Sequence, residues 1–591
     1  MIKSRFIYMR MLLRFRRVLR NDHLVLSALG IIVGCATGAA IIGFREFIQF
    51  TQLALFNSDS ENLLQAVLIL PWWQVLAVPT AMGLVVGLII YHFLPDRRPQ
   101  GVADVIEANA LHGGRMSSRI GLKVAIVNAL SIGGGASVGR EGPAVHLGAC
   151  LGAWLARRLH LTRSLNRTLI GCGVGAAVAA SFNAPIAGAL FASEVVVGHY
   201  ALKAFAPIVI SSVAATALSR EYFGDFPAFA FDTDILTSFS EFPAFVLLGV
   251  VSGVAAIIFM RSIFLAQDIA LKIPVPSWLR PMIGGFGVGL IALVFPQILG
   301  VGYGVTELAL LTEISLTLLI AIGLAKILAT AISIGFGFGG GVFSPSIVIG
   351  AMVGGAFGII ATQVFPDYSS GPAAYAMVGM GAVAAAVLGA PISTTLIIFE
   401  MTSNYGLTLG VMLAVVVASE ITHHFYGRSF FNQQLKRRGL DVKEGFETEI
   451  MRSRRISQVI SDDAETIYRD ACLQDLRMEL QQSRWGELFV VKRSGELYGT
   501  ITLADLSTTA FDHDVDDLIK AEDVTRLHPP ILTPEDDLET ALALMRDMGE
   551  EHIAVVTDPE TMKFKGCVHQ RDVLAAYNRA LLEMRHEEHG E

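Results

Sequence analysis

The sequence predicts a mainly α, polytopic membrane protein that ends in a smaller soluble α/β region, and three observations carry the prediction. Of 591 residues, 53% are hydrophobic and 17% charged, against about 25% charged in a typical soluble domain. Mean hydropathy is +0.55. Long apolar segments recur up to about residue 435 and then stop, and charges become frequent from Gln433 onward.

The first twenty residues carry Lys3, Arg5, Arg10, Arg14, Arg16, Arg17 and Arg20 and no acid. No apolar core of about 7–15 residues with a small-residue cleavage site follows directly, so a secretory signal does not fit. The positive-inside rule predicts a cytoplasmic segment over 1–23, a basic helix on the membrane surface. Apolar segments then run over 24–53, 66–94, 120–135, 144–157, 168–197, 205–218, 243–268, 282–303, 314–335, 342–365, 373–400 and 406–425. Some exceed the roughly 20 residues a spanning helix needs. Others are short and interrupted by Gly or Pro. Short, broken segments at corresponding positions of two halves point to a transport site.

The halves do correspond. Residues 173–194 align without a gap on 379–400, pairing Ala184-Pro-Ile with Ala390-Pro-Ile and Glu194 with Glu400. Gly133-Gly-Gly135 meets Gly339-Gly-Gly341 at the same offset, and Gly142-Pro meets Ser344-Pro after a four-residue deletion. Chance similarity of Gly/Ala-rich sequence does not preserve that order. The membrane domain, 24–435, is therefore read as a duplicated unit, with repeats over about 66–220 and 282–430.

Glu141 stands inside the glycine-rich, apolar run 131–149. An ionised carboxylate at membrane depth costs about 2.5–3.5 kcal/mol or more, which makes it a functional-site hypothesis. The surrounding glycines let backbone approach a ligand and break helices so that amides face a cavity. A titratable acid beside free amides predicts an anion path for which the carboxylate competes. Arg140 is adjacent, but neighbouring helical residues do not face one another, so it is not the expected ion-pair partner.

Several function classes drop out. The five cysteines form no CxxC pair and suggest neither a disulfide framework nor a metal site. No strongly basic domain points to nucleic acid. The run Gly335-Phe-Gly-Phe-Gly-Gly340 lacks the strand and βαβ context of a nucleotide loop. No nucleophile motif, HExxH or Walker A sequence appears, so an enzyme is not expected.

Beyond a linker at 436–450 lie two similar α/β units, 451–511 and 520–585. Each contains a helix, an apolar strand (487–491 and 552–556) and a final strand–turn–helix (497–506 and 564–573).

Gly139-Arg-Glu-Gly-Pro143 followed by Gly341-Val-Phe-Ser-Pro345, together with the internal repeat, resembles the CLC family of chloride channels and chloride/proton antiporters. The two soluble units resemble CBS domains. The resemblance implies an inverted-repeat helical bundle in the cell (inner) membrane, with the N-terminus and CBS domains cytoplasmic. It implies a homodimer in which each subunit holds its own pore. Chloride is the transported ion, with protons a further possibility, and no cofactor is required. The match gives Glu141 the role of gate: ionised, it occupies an anion site; protonated, it leaves. Gly139, Arg140, Gly142, Val342 and Phe343 fall on the family's anion-binding segments.

Three departures matter. The family's GSGIP segment falls on Pro99-Gln-Gly-Val-Ala103, so Gln100 and Gly101 stand at an anion-binding turn. The Gln100 amide either donates to an anion or solvates a helix end. The pore tyrosine falls on Phe431. The position of the antiporters' internal proton glutamate falls on Val195, which favours channel-type conduction. Glu194, one residue earlier, is either a repeat-level structural acid or a displaced proton relay, in which case the protein is an antiporter. In the CBS units, Thr502 with Asp505 and His569 with Asp572 stand where an adenine nucleotide would bind. A fluoride-exporting branch also lacks the internal glutamate, but the intact 139–143 motif and the CBS pair argue against it.

Overall fold

The computed structural model describes residues 22–58, 63–198, 202–225, 239–402, 404–440, 451, 454–461, 463–506 and 518–589. The expected basic helix at 1–23 and most of the linker at 436–450 lie outside them. The chain divides into two compact units at Val442/Lys443.

The first unit is helical: α1 (Asp22–Phe56), α2 (Leu63–Ile69), α3 (Trp72–Phe93), α4 (Val102–Leu111), α5 (Ser118–Gly133), α6 (Glu141–Arg158), α7 (Arg163–Phe182), α8 (Pro185–Phe191), α9 (Leu202–Phe223), α10 (Phe242–Lys272), α11 (Arg280–Val294), α12 (Tyr303–Leu310), α13 (Leu316–Gly335), α14 (Phe343–Val364), α15 (Pro372–Leu388), α16 (Pro391–Thr402), α17 (Tyr405–Phe425) and α18 (Phe430–Arg437). Among the described residues, eight helical segments are long and apolar enough to span a bilayer. The apolar stretch 66–94 is two helices. It breaks at Pro71, which caps α3, because proline disfavours the helical conformation in the residue before it.

The duplication is visible in the element order. The series α4 to α9 recurs as α12 to α17: a short helix, three long ones, a shorter one and a final long one. The breaks recur with their chemistry. Helix α7 ends on Asn183 at φ 59 and α15 on Gly389 at φ 68. Asn and Gly are the residues that tolerate this left-handed cap. Each cap is followed by Ala-Pro, and proline at the first helical position starts the next helix, α8 or α16.

The packing is also duplicated. A Cβ at Gly148 would lie 2.2 Å from the Gly173 carbonyl oxygen, and one at Gly350 would lie 2.3 Å from that of Gly379. Glycine is what lets α6 meet α7, and α14 meet α15, backbone to backbone. Small residues do this work in membranes because lipid supplies no hydrophobic drive between helices.

Among the described residues, the second unit holds two sheets. Strands β1 (Thr466–Tyr468), β2 (Glu487–Val491), β3 (Leu497–Thr502) and β4 (Arg526–Leu527) form one in that order; β5 (Ile531–Leu532), β6 (His552–Val556) and β7 (Phe564–His569) form the other. β1–β2 and β5–β6 are parallel, while β2–β3 and β6–β7 are antiparallel with a register shift at the same place, after Val490 and Val555. Helices Leu473–Gln482 and Leu538–Met548 cover them with buried leucines and Met545. The final helix of the second unit, Gln570–His589, follows β7 directly. The counterpart expected after Leu506 lies outside the described residues.

Candidate anion site

Glu141 and Phe343 begin α6 and α14, and the two chain segments leading into their N-caps, Arg140 and Val342, run side by side. Gly139 and Gly341 pair there as an antiparallel bridge, with both N–H···O bonds 2.7 Å long. Each stands two residues before the first residue of a helix, α6 or α14, the same structural place in each repeat. An antiparallel pairing of equivalents is what a two-fold relation between the repeats produces. The bridge brings the two helix N-termini together, and their first-turn amides have no intrahelical acceptor. Each N-terminus also carries roughly half a positive charge.

A cavity of about 910 Å³ opens against this junction. Glu141, Gly142, Val342 and Phe343 line it, as do Gln100, Gly101 and Val102 at the start of α4 and Phe430 and Phe431 at the start of α18. The starts of α4, α6, α14 and α18 thus converge on one space, and Arg280 and Pro281 add that of α11. Five arginines (Arg97, Arg98, Arg280, Arg437 and Arg438) line it against three carboxylates (Asp96, Asp268 and Glu141). An excess of cationic groups around a recessed space concentrates anions. The Phe343 ring lies 4.8 Å from Phe182 and 6.3 Å from Phe191, an apolar collar beside the acid.

Glu141 is 1% exposed. Its Oε1 accepts from the Tyr303 hydroxyl at 2.9 Å and its Oε2 from the Ser344 hydroxyl at 2.5 Å. Arg140 Nε stands 3.9 Å from Oε1. This corrects the expectation that Arg140 is no partner. The helical-spacing argument holds inside a helix, whereas Arg140 is the cap and its guanidinium turns back over the helix start, 5.2 Å from the Tyr303 ring.

Two expected anion ligands offer no free amide. Gly139 spends its N–H on Gly341, and Gly101 donates to Asp104 Oδ2 at 2.7 Å. Gly139 and Arg140 also do not line the cavity. Gln100 does, and its Oε1 meets His146 Nε2 at 3.1 Å. With the imidazole as donor, the Gln100 NH₂ is the group left for an anion. Phe431 is buried at the cavity wall and brings no hydroxyl.

Glu194 and Glu400 form a reciprocal pair. Glu194 accepts from the amides of Ile392 and Ser393 at 3.0 and 2.8 Å, while Glu400 accepts from Ile186 and Ala187 at 3.1 and 2.8 Å. Each repeat's acid caps the helix N-terminus of the other repeat. Val195 lies beside Glu194 in a π-helical turn, Ala192–Val197, and carries nothing titratable.

In the soluble unit, Thr502 donates to Asp505 Oδ2 through both its amide (2.8 Å) and its hydroxyl (2.7 Å), and Arg526 Nε lies 3.1 Å from the same oxygen. The two residues expected to hold a nucleotide hold each other. Asp572 pairs with Arg571 at 3.4 Å. His569 is buried, its ring 4.3 Å from Trp485 and 4.8 Å from His552. Burial, and then the neighbouring His552, hold its imidazole below the usual value.

Sequence reasoning missed Tyr303, Ser344, His146 and Lys326. Signals existed for two of them. Ser344 is polar where the first repeat has Gly142. Lys326 is the one charge within the apolar stretch 314–335, the same kind of signal that marked Glu141. His146 and Tyr303 need the fold.

A family model described as "Voltage gated chloride channel" matches residues 82–423, and a CBS domain model matches 521–579, the second of the two soluble units. A relative from Ralstonia nicotianae, "Putative chloride channel protein ClcB-like", is 34% identical over 69% of this chain and 95% of its own length. Among solved structures, a slow cyanobacterial Cl⁻/H⁺ antiporter superposes with TM-score 0.64 at 25% identity, covering 70% of this chain and 97% of that one. A eukaryotic CLC transporter covers 93% of this chain and 98% of its own, with TM-score 0.61 at 18% identity, a likeness of fold.

Proposed function

The chain belongs to the voltage-gated chloride channel family of chloride transporters, and on that premise we propose that it conducts chloride passively through the cavity below Glu141, with Glu141 as the gate. The observation that carries this reading is the position of one carboxylate at the paired N-termini of α6 and α14. Ionised, it occupies the spot where free amides and helix ends favour an anion. Protonated, it loses both its charge and its claim on that spot, and chloride takes its place. The Val342 and Phe343 amides and the Gln100 NH₂ are the donors proposed for chloride.

Passive conduction is favoured over exchange by what surrounds Val195. A proton path needs a titratable group beyond Glu141. Val195 is apolar, and both oxygens of Glu194 are engaged by amides. Exchange, with Glu194 or water as the relay, is the second reading, favoured by the antiporter title of the cyanobacterial neighbour. We place the protein in the inner membrane as a homodimer, with the N-terminus and CBS units cytoplasmic. Adenine nucleotide binding is kept for the Thr502–Asp505 loop and not for the buried His569.

Full-length protein in liposomes under a chloride gradient tests the proposal when chloride efflux and internal pH are recorded together. Passive conduction gives efflux without stoichiometric proton movement. Protons driven against their own gradient contradict it.

A further inference from the structure

Lys326 is fully buried in α13, with no carboxylate among its hydrogen-bond partners. An ammonium at membrane depth is rare and has a job by default. Its Nζ donates to the carbonyls of Ile298 and Gly300 at 3.0 and 2.9 Å. Those carbonyls belong to the turn that leads into α12. The turn is pinned from the first repeat as well, since the Gly300 amide donates to the Gly135 carbonyl at 3.4 Å. Gly302, at φ +93, caps α12, and a Cβ there would lie 3.1 Å from Lys326 Nζ. The next residue is Tyr303, whose hydroxyl reaches Glu141.

Tyr303 and Ser344 touch the carboxylate but do not line the cavity that Glu141 closes. They therefore meet the acid from its other side. Tyr303 itself is half-buried.

We propose that Tyr303 latches Glu141 in its closed position and that Lys326, by clamping the Ile298–Gly300 turn, positions that latch. This rests on Glu141 being the gate. A hydroxyl donating to a carboxylate stabilises the ionised form, so the latch delays protonation and opening. Among the described residues, the charged or titratable groups facing the carboxylate are Arg140 from its own cap and Tyr303 from α12. α14 contributes the neutral Ser344.

The test is chloride efflux from liposomes holding full-length protein, measured from acidic to neutral pH, in wild type, Glu141→Gln, Tyr303→Phe, Lys326→Met and the double variant Tyr303→Phe/Lys326→Met. Glu141→Gln removes the pH dependence if the gate is correctly assigned; a wild-type profile there sinks the gate and the latch with it, whereas the Tyr303 and Lys326 variants bear on the latch alone. Given a flat Glu141→Gln profile, Tyr303→Phe raises efflux at neutral pH and moves the midpoint of the pH curve up by about one unit. Lys326→Met moves it the same way by less, and the double variant matches Tyr303→Phe because the lysine acts through the tyrosine. A wild-type midpoint in Tyr303→Phe overturns the latch. A shift from Lys326→Met that adds in full to that of Tyr303→Phe overturns the positioning role. Should the methionine variant not fold, Lys326→Gln keeps a donor for one carbonyl and carries the same test at a smaller shift.

Discussion

Three glutamates at the repeat junctions show how one duplicated scaffold divides its labour. Glu194 and Glu400 are equivalent by sequence and equivalent in structure: each accepts two backbone amides at the start of a helix in the opposite repeat. Glu141 is equivalent to Phe343, which carries no charge. Its oxygens are held by two hydroxyls from the second repeat, not by a symmetric partner. Where the repeats agree, an acid satisfies helix ends and holds the halves together. Where they disagree, an acid is left over, and gating is the use proposed for it. Symmetry separates the two bracing carboxylates from the one proposed to gate, although all three are glutamates in an apolar domain.

The symmetric side of the comparison gives the largest expected effects. Gly173→Leu and Gly379→Leu each drive a side chain into a carbonyl oxygen little more than 2 Å from the new Cβ. Overpacking of this kind costs about 1–3 kcal/mol even when a core can adjust, and backbone yields less. Neither variant is expected to give a monodisperse peak in detergent size-exclusion chromatography. If one folds and its repeat counterpart does not, the repeats bear load unequally and the comparison weakens.

Glu194→Ala and Glu400→Ala come next. Each leaves two helix-start amides without an acceptor, at about 1–3 kcal/mol, so both should lower the melting temperature in detergent by similar amounts. A loss confined to Glu194, together with altered proton movement, would bring back the relay reading.

On the asymmetric side, Gln100→Ala removes the proposed chloride donor of α4. Chloride affinity is expected to fall about tenfold, the loss of one hydrogen bond to a charged partner, as read by isothermal calorimetry. His146→Ala should weaken affinity less, since it frees the Gln100 amide to rotate without removing it.

The smallest effect lies in the soluble unit. His569 is held neutral by burial, so the unfolded chain binds a proton there that the folded one does not. Stability is complete above the unfolded value of about 6.5 and declines as pH falls below it. Hydrogen-exchange protection in β6 and β7 of the full-length protein, corrected for the intrinsic rate at each pH, should fall below that pH, and His569→Leu should flatten the dependence.

Much of this was legible in the residues. The apolar segments, the breaks at Ala184-Pro and Ala390-Pro, and the pairing of Glu194 with Glu400 follow from hydropathy and a constant offset. Glu141 announced itself as a charge in the wrong solvent. Tyr303 did not, because nothing local links it to a residue 162 positions earlier in the chain; only the packing of α12 across the repeat boundary does. The fate of amides was illegible as well. Gly139 and Gly101 sit in motifs that read as anion-binding, yet their N–H groups are already committed. Arg140 was misjudged because helix-interior spacing was applied to a cap.

Whether the asymmetric acid gates and the symmetric acids brace is decided by a single experiment. Chloride efflux is recorded across pH from liposomes containing Glu141→Gln or Glu194→Gln, side by side with wild type. Glu141→Gln is expected to give a flat, elevated profile and Glu194→Gln a wild-type pH midpoint. A flat profile for Glu194→Gln, with Glu141→Gln still titrating as wild type does, would contradict both expectations.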